Sequence, residues 1–325
     1  MIKGLDCGTN RKNTGKKGCD FNLSYVIGMV AVPRDWAYSP AFGATDATVK
    51  AAVLASLVAA MHNDAIADRA QFLGPFTNGE DKSKAPGVQT LGYGGQRYTD
   101  DGKIIMDFTF DKGGYDYFKK VRSYSGAQSE FKWLFIDNNE VLVGTNKYTS
   151  GLVTGMNGFE IEDVYVHAPK AGTPTAVAEY RISITFAEVN EMAEDMYAVK
   201  MDSDIISTLE DAAIVEVDIT AGASTGTRTF PYILKAGDGS ENLADTLGAA
   251  IDTTCVQAYN KATGAAITVT SITPSTLTGI YTVVFASGGG YSAAAIAVLE
   301  FTAPSVLFTA TGGYYSSNKC EVTMV

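Results

Sequence analysis

Between positions 180 and 186 the chain alternates without a break: Tyr180, Ile182, Ile184 and Phe186 are apolar, while Arg181, Ser183 and Thr185 are polar. A period of two over seven residues fits a pleated strand with one wet face and excludes a helix, whose apolar positions recur every three or four. Similar runs recur along the whole chain. Residues 21–32 read as a first buried strand, ended by Pro33. Residues 95–99 and 103–110 read as a hairpin turning at Asp100-Asp101-Gly102, and residues 130–136 and 140–144 as a second hairpin turning at Asp137-Asn138-Asn139. Residues 158–167 and 176–189 read as two longer strands.

One stretch has the other period. Thr45 and Asp46 are good helix caps, and Val49, Val53, Leu57 and Met61 then recur every four residues, which predicts a helix over 46–62 with one apolar face. It carries Lys50 and is shorter than the roughly 20 apolar residues a bilayer needs, so no membrane partner is expected. A second, short helix is expected over 113–124, with Tyr117, Val121 and Tyr124 on one side.

Two segments lack any period. The first 20 residues hold Lys3, Arg11, Lys12, Lys16 and Lys17 among Gly, Asn and Thr, and read as a flexible basic arm. Residues 74–88 combine turn formers with charge and read as a long exposed loop, a candidate inter-subunit arm through Asn78, Asp81, Lys82 and Lys84, with Lys12, Lys16 and Lys17 in the same assembly role. From position 213 charge falls and Thr, Ala, Val and Gly rise. Runs at 214–220, 227–234, 255–259, 266–272, 279–286, 294–301, 306–310 and 320–324 predict an immunoglobulin-like sandwich over 213–325, with a helical turn near 240–247. The fold class expected is therefore mainly β: an α+β sandwich or barrel with a flanking helix over 21–205, then the immunoglobulin-like domain.

Chemistry is sparse. The only histidines are His62 and His167, far apart in sequence, and both read as structural. Gly8 to Lys17 looks like a phosphate loop, but six residues separate Gly8 from Gly15 where four are needed. Asp202-Ser203-Asp204 reads as a helix cap rather than a calcium loop. Cys7, Cys19, Cys255 and Cys320 are too few for a disulfide framework and read as free thiols. No catalytic residue, cofactor or metal is expected. The net charge of -11 argues against capture of nucleic acid, and no apolar stretch at the N-terminus resembles a signal peptide, so the chain is expected to remain where it is made.

In order and composition the chain resembles phage virion structural proteins, tail-tube or tail-ring subunits above all, and the run FKWLFIDNNEVLVGT at 131–145 looks like segments of structural proteins from phages of Bacteroidetes. The resemblance implies a virion location, homo-oligomeric (hexameric) rings that stack through arms, contacts with other virion proteins, and DNA passing through without specific binding. On that picture the acidic Glu160, Glu162 and Glu188 would face the lumen, where negative charge keeps DNA from sticking. A neck or ring connector, a capsid-decoration protein, an adhesive module using its immunoglobulin-like domain, and a carbohydrate-active enzyme are the alternatives; clustered aromatics beside paired carboxylates would favour the last.

Overall fold

The computed structural model describes residues 25–324 except 42–43, 100–101, 111–113, 174–177, 203, 227, 237–240, 276 and 288–293; at 46, 98, 114–116 and 193 it describes the backbone alone. The expected basic arm, with Lys12, Lys16 and Lys17, lies outside the described residues. The chain is mainly β and forms two compact units. Unit 1 comprises the described residues up to Met61 and Ala67–Asp211; unit 2 comprises His62–Ile66 and the residues from Ala212 on.

The strands of unit 1 are β1 (Val26–Pro33), β2 (Ala37–Tyr38), β3 (Gln71–Leu73), β4 (Asn78–Asp81), β5 (Val88–Thr90), β6 (Gln96–Tyr98), β7 (Ile105–Phe110), β8 (Phe131–Asp137), β9 (Val141–Thr149), β10 (Leu152–Asn157), β11 (Ile161–Val166), β12 (Tyr180–Phe186) and β13 (Met196–Lys200). Its helices are α1 (Asp46–Met61), α2 (Gly114–Arg122), α3 (Val189–Ala193) and α4 (Ile205–Asp211). A large sheet runs β2-β10-β9-β8-β1-β3, with β13 also on β9, and a small sheet runs β11-β12-β7-β4.

The core lies between the two sheets. Met29 and Ala31 of β1, Trp133 and Phe135 of β8 and Val143 of β9 meet Ile182, Ile184 and Phe186 of β12 and Phe108 and Phe110 of β7, with Phe118 and Val121 of α2 closing one side. The intervening residues Val30, Val32, Leu134, Ile136 and Leu142 are buried as well, so the large sheet is covered on both faces. On that second face a Cβ at Gly28 would stand 2.9 Å from Phe72 and 3.0 Å from Ile206 of α4, so a larger residue there would displace those side chains. Helix α1 buries Val49, Val53, Leu57 and Met61 as its spacing requires, Thr45 caps it by accepting from the Thr48 amide at 3.3 Å, and Lys50 pairs with Asp202 at 2.6 Å.

Unit 2 contains β14 (Val215–Ala221), β15 (Thr229–Ala236), β16 (Glu241–Asn242), β17 (Val256–Asn260), β18 (Ala266–Ile267), β19 (Val269–Ser275), β20 (Ile280–Phe285), β21 (Ile296–Phe301), β22 (Tyr315–Ser317) and β23 (Cys320–Thr323), with α5 (Leu243–Thr246) and α6 (Pro304–Thr311). One sheet runs β19-β20-β15-β14-β22 and the other β18-β17-β21-β23. Lettered in chain order with β14 as A and β15 as B, these are the D-E-B-A and C′-C-F-G orders of an immunoglobulin-like sandwich. Two insertions separate F from G, namely α6 and β22, the latter parallel to β14. The disulfide of antibody domains has no counterpart in Cys255 and Cys320, which are buried free thiols. Tyr232 and Tyr281, both fully buried, fill the core instead. The Tyr281 hydroxyl donates to the carbonyls of Leu243 and Gly248, each at 3.0 Å, pinning α5 to the sandwich, and burial raises its pKa to about 12.

Three expectations need correction. Residues 306–310 are helical, not a strand: Pro304 sits in the first turn with its backbone angle already set, and Gly312, at a φ of 78°, ends the helix in the left-handed region. Residues 95–110 do not form a hairpin with each other, since β6 pairs with β5 and β7 pairs with β4. Residues 74–88 are accordingly not all loop, because Asn78–Asp81 forms the outer strand of the small sheet.

Replacing Leu57 by Ala should cost about 2–5 kcal/mol, and Tyr281→Phe about 1–3 kcal/mol by leaving buried carbonyls short of a donor, both read by urea unfolding of the full chain. Loss of less than half a kcal/mol in either would contradict the packing described.

Candidate functional site

The small sheet continues beyond its own edge as a ribbon. The amides of Thr77, Lys82 and Lys84 donate to the carbonyls of Thr109, Ile105 and Lys103 at 2.8–2.9 Å, and that of Thr99 donates to Gly87 at 2.9 Å. The β4–β7 ladder thus leads into β5–β6, which closes through a turn where the Leu91 amide donates to Gly95 at 2.7 Å. Gly102 permits the ribbon to close, since its φ is 77° and the Lys84 carbonyl occupies the place of a Cβ. Both faces of β5 are exposed, Tyr93 in the turn is 83% exposed and Val88 is 48% exposed. Four of the expected assembly residues, Asn78, Asp81, Lys82 and Lys84, stand at the base of this ribbon. Lys82 pairs with Glu80, whose pKa is lowered by that contact, and the Ser83 side chain and amide lower that of Asp81.

The three acidic residues differ among themselves. Glu160 pairs with Arg34 at 3.3 Å and Lys132 at 3.5 Å, and Glu162 pairs with Lys103 at 2.5 Å. Glu188 is exposed where the chain enters α3. Glu191 nearby accepts from the Glu160 amide at 2.8 Å, and burial raises its pKa. Much of the charge on this stretch is therefore balanced within the chain.

A third group was not picked out from the sequence. On the open face of the small sheet, register aligns Tyr165, Ser183, Asp107 and Glu80 in one row across four strands. Arg181, Thr109 and Asn78 form the next row, extended by His167, whose amide donates to the Arg181 carbonyl. All of these but Ser183, together with Lys170 and Glu179, line an open cleft of about 800 Å³. The Ser183 hydroxyl donates to Asp107 Oδ1. Its oxygen is then left to accept from His167 Nε2 at 2.6 Å, which makes Nδ1 the acceptor for Arg181 Nη2 at 3.0 Å. Arg181 Nη1 closes the ring of contacts at 3.8 Å from Asp107 Oδ2. Serine, histidine and aspartate occur together, but in the wrong order for a nucleophile. The serine lies between the other two and its proton is committed to the carboxylate, whereas a catalytic triad places histidine in the middle. Alternation put Arg181 and Ser183 on a wet face; only the cross-strand register, which no local pattern specifies, adds Asp107, Tyr165 and His167.

His62, the other histidine, stacks on Tyr314 at 3.5 Å, and its Nε2 lies 2.8 Å from the Ala212 carbonyl, a structural role. Asp204 accepts from the Ser207 amide at 3.0 Å, capping α4. Among the described residues no group of three or more His, Cys, Asp or Glu is placed to hold a metal ion, and no helix is long and apolar enough to cross a membrane. No family model matches the chain, and no curated protein matches it either.

Desolvation, then Arg181, lowers the pKa of His167 below 6.5, with Asp107 opposing. The unfolded chain therefore takes up this proton first as pH falls, so stability is full above about 6.5 and declines as pH drops toward the folded value. Urea midpoints at about pH 7.5 and 5.5 should differ in the native chain and differ less in His167→Gln. An equal drop in both would assign the pH dependence elsewhere.

Proposed function

We propose that this chain is a self-assembling structural component of a phage virion, a tail-tube subunit whose unit 1 builds stacked rings around a DNA passage. The observation that carries the reading is the exposed ribbon of β5 and β6. A two-stranded hairpin buries too little to be stable for its own sake, and one that ends in an exposed tyrosine gains most by lying against a neighbouring copy. The immunoglobulin-like unit 2 then serves as an accessory module of the subunit. Ion pairing at Glu160 and Glu162 keeps a passage wall near neutrality, while the chain's net charge of -11 repels DNA at longer range.

Light scattering and negative-stain microscopy of the purified chain should give a mass many times that of one chain, as rings or stacked tubes. The double variant Val88→Asp, Tyr93→Asp should fall to a single chain's mass with its unfolding midpoint unchanged. Closed rings that never stack would move the role to a connector. A native chain that stays monomeric at high concentration, alone and with preformed tail tips, would overturn the reading.

A further inference from the structure

A sheet face that meets only water usually carries short or flexible polar side chains. The open face of the small sheet departs from this at Tyr165, which is 53% exposed and stands edge-on to His167, with ring centroids 4.9 Å apart and planes at 85°. His167 is in turn held at both nitrogens by Ser183 and Arg181. The tyrosine therefore presents a flat apolar face whose backing is already ordered, so a ligand stacked on it would meet little entropic cost of arranging the site.

Among the described residues each acidic group that lines the cleft is paired with a base, one of which, Lys82, lies outside the lining. Glu80 lies against Lys82, Asp107 against Arg181, and Glu179 against Lys170 at 3.0 Å. Such a site has no excess cation to hold a phosphate and no excess anion to hold an amine. It does have carboxylate, guanidinium and amide groups around one aromatic platform, with Asn78 and Thr109 on the row beside it. The cleft also spreads across four strands instead of following a free strand edge, as an added peptide strand would.

We propose that this cleft binds a neutral oligosaccharide, with one sugar ring stacked on Tyr165 and hydroxyl groups of the adjoining rings bonded to Arg181 and, across the sheet, to Asn78 and Glu80. The role proposed is binding alone; a serine nucleophile has no place in it, because the Ser183 hydroxyl donates to Asp107. The site adjoins the base of the assembly ribbon at Asn78 but includes neither Val88 nor Tyr93, so its failure would leave the ring-forming role untouched.

The test uses the full chain on an array of immobilised neutral glycans built from glucose, mannose, galactose, xylose, fucose or N-acetylhexosamine, with polygalacturonate as an anionic control. Binding to at least one neutral glycan and none to the control is expected. Tyr165→Ala should weaken that binding about tenfold and Tyr165→Phe by less than about threefold, with unchanged unfolding midpoints because the ring is exposed. Asn78→Ala provides a second reading from the neighbouring row, with a loss of about fivefold expected. Absence of binding to every neutral glycan, binding to polygalacturonate alone, or a Tyr165→Ala variant that binds as well as the native chain would each overturn the proposal.

Discussion

The register of β12 against its two neighbours is the constraint on which both faces of the small sheet depend. Slipping the strand by one residue would turn Ile182, Ile184 and Phe186 into water and bring Arg181 and Ser183 into the aromatic core. The inner face opposes that slip through Phe108, Phe110, Phe135 and Phe159, whose rings leave no room for a guanidinium. The outer face opposes it too, through the contacts among Asp107, Ser183, His167 and Arg181, which form in one register only. Packing and polar pairing thus specify the same alignment, the kind of agreement between levels that gives a single native arrangement.

Elements buried on a regular period were legible in the sequence. Helix α1 and β12 carry apolar residues at the spacing their geometry demands because one side of each meets a core, and the β8–β9 hairpin shows as two apolar runs about a turn because both its faces are covered. The ribbon was not legible as a ribbon. Asn78–Asp81 and Val88–Thr90 meet solvent on most sides, so no apolar period marks them, and the charged residues that discourage edge-to-edge pairing also disguise the strand. The segment 306–310 misled for the opposite reason. Its apolar residues fit a short strand, and only Pro304 before it and Gly312 after it mark a helix. The cleft residues come from four strands and from the segments that flank them, and their meeting is a property of pairing that no single segment carries.

Unit 2 reaches an immunoglobulin-like arrangement by a different means from the disulfide-linked members of that architecture. A cross-link between sheets stabilises largely by restricting the unfolded chain. Here the space is taken by aromatic side chains, Tyr232, Tyr281, Phe230 and Phe285, and stability rests on contacts made in the folded state. Because Cys255 and Cys320 are buried thiols whose pKa values burial raises, they are poor nucleophiles until the sandwich opens.

The ribbon has a kinetic corollary. Two strands exposed to water gain little from burial of their own, so in the assembly proposed above a first neighbour that gripped them would have to supply the free energy that holds them straight. On that proposal a second neighbour would meet a partner already ordered, and its association would be correspondingly more favourable. Growth from such subunits would show a lag, a dependence on seeds and a threshold concentration, with few small oligomers at any moment. A protein built this way can accumulate as separate chains and convert abruptly once a template appears.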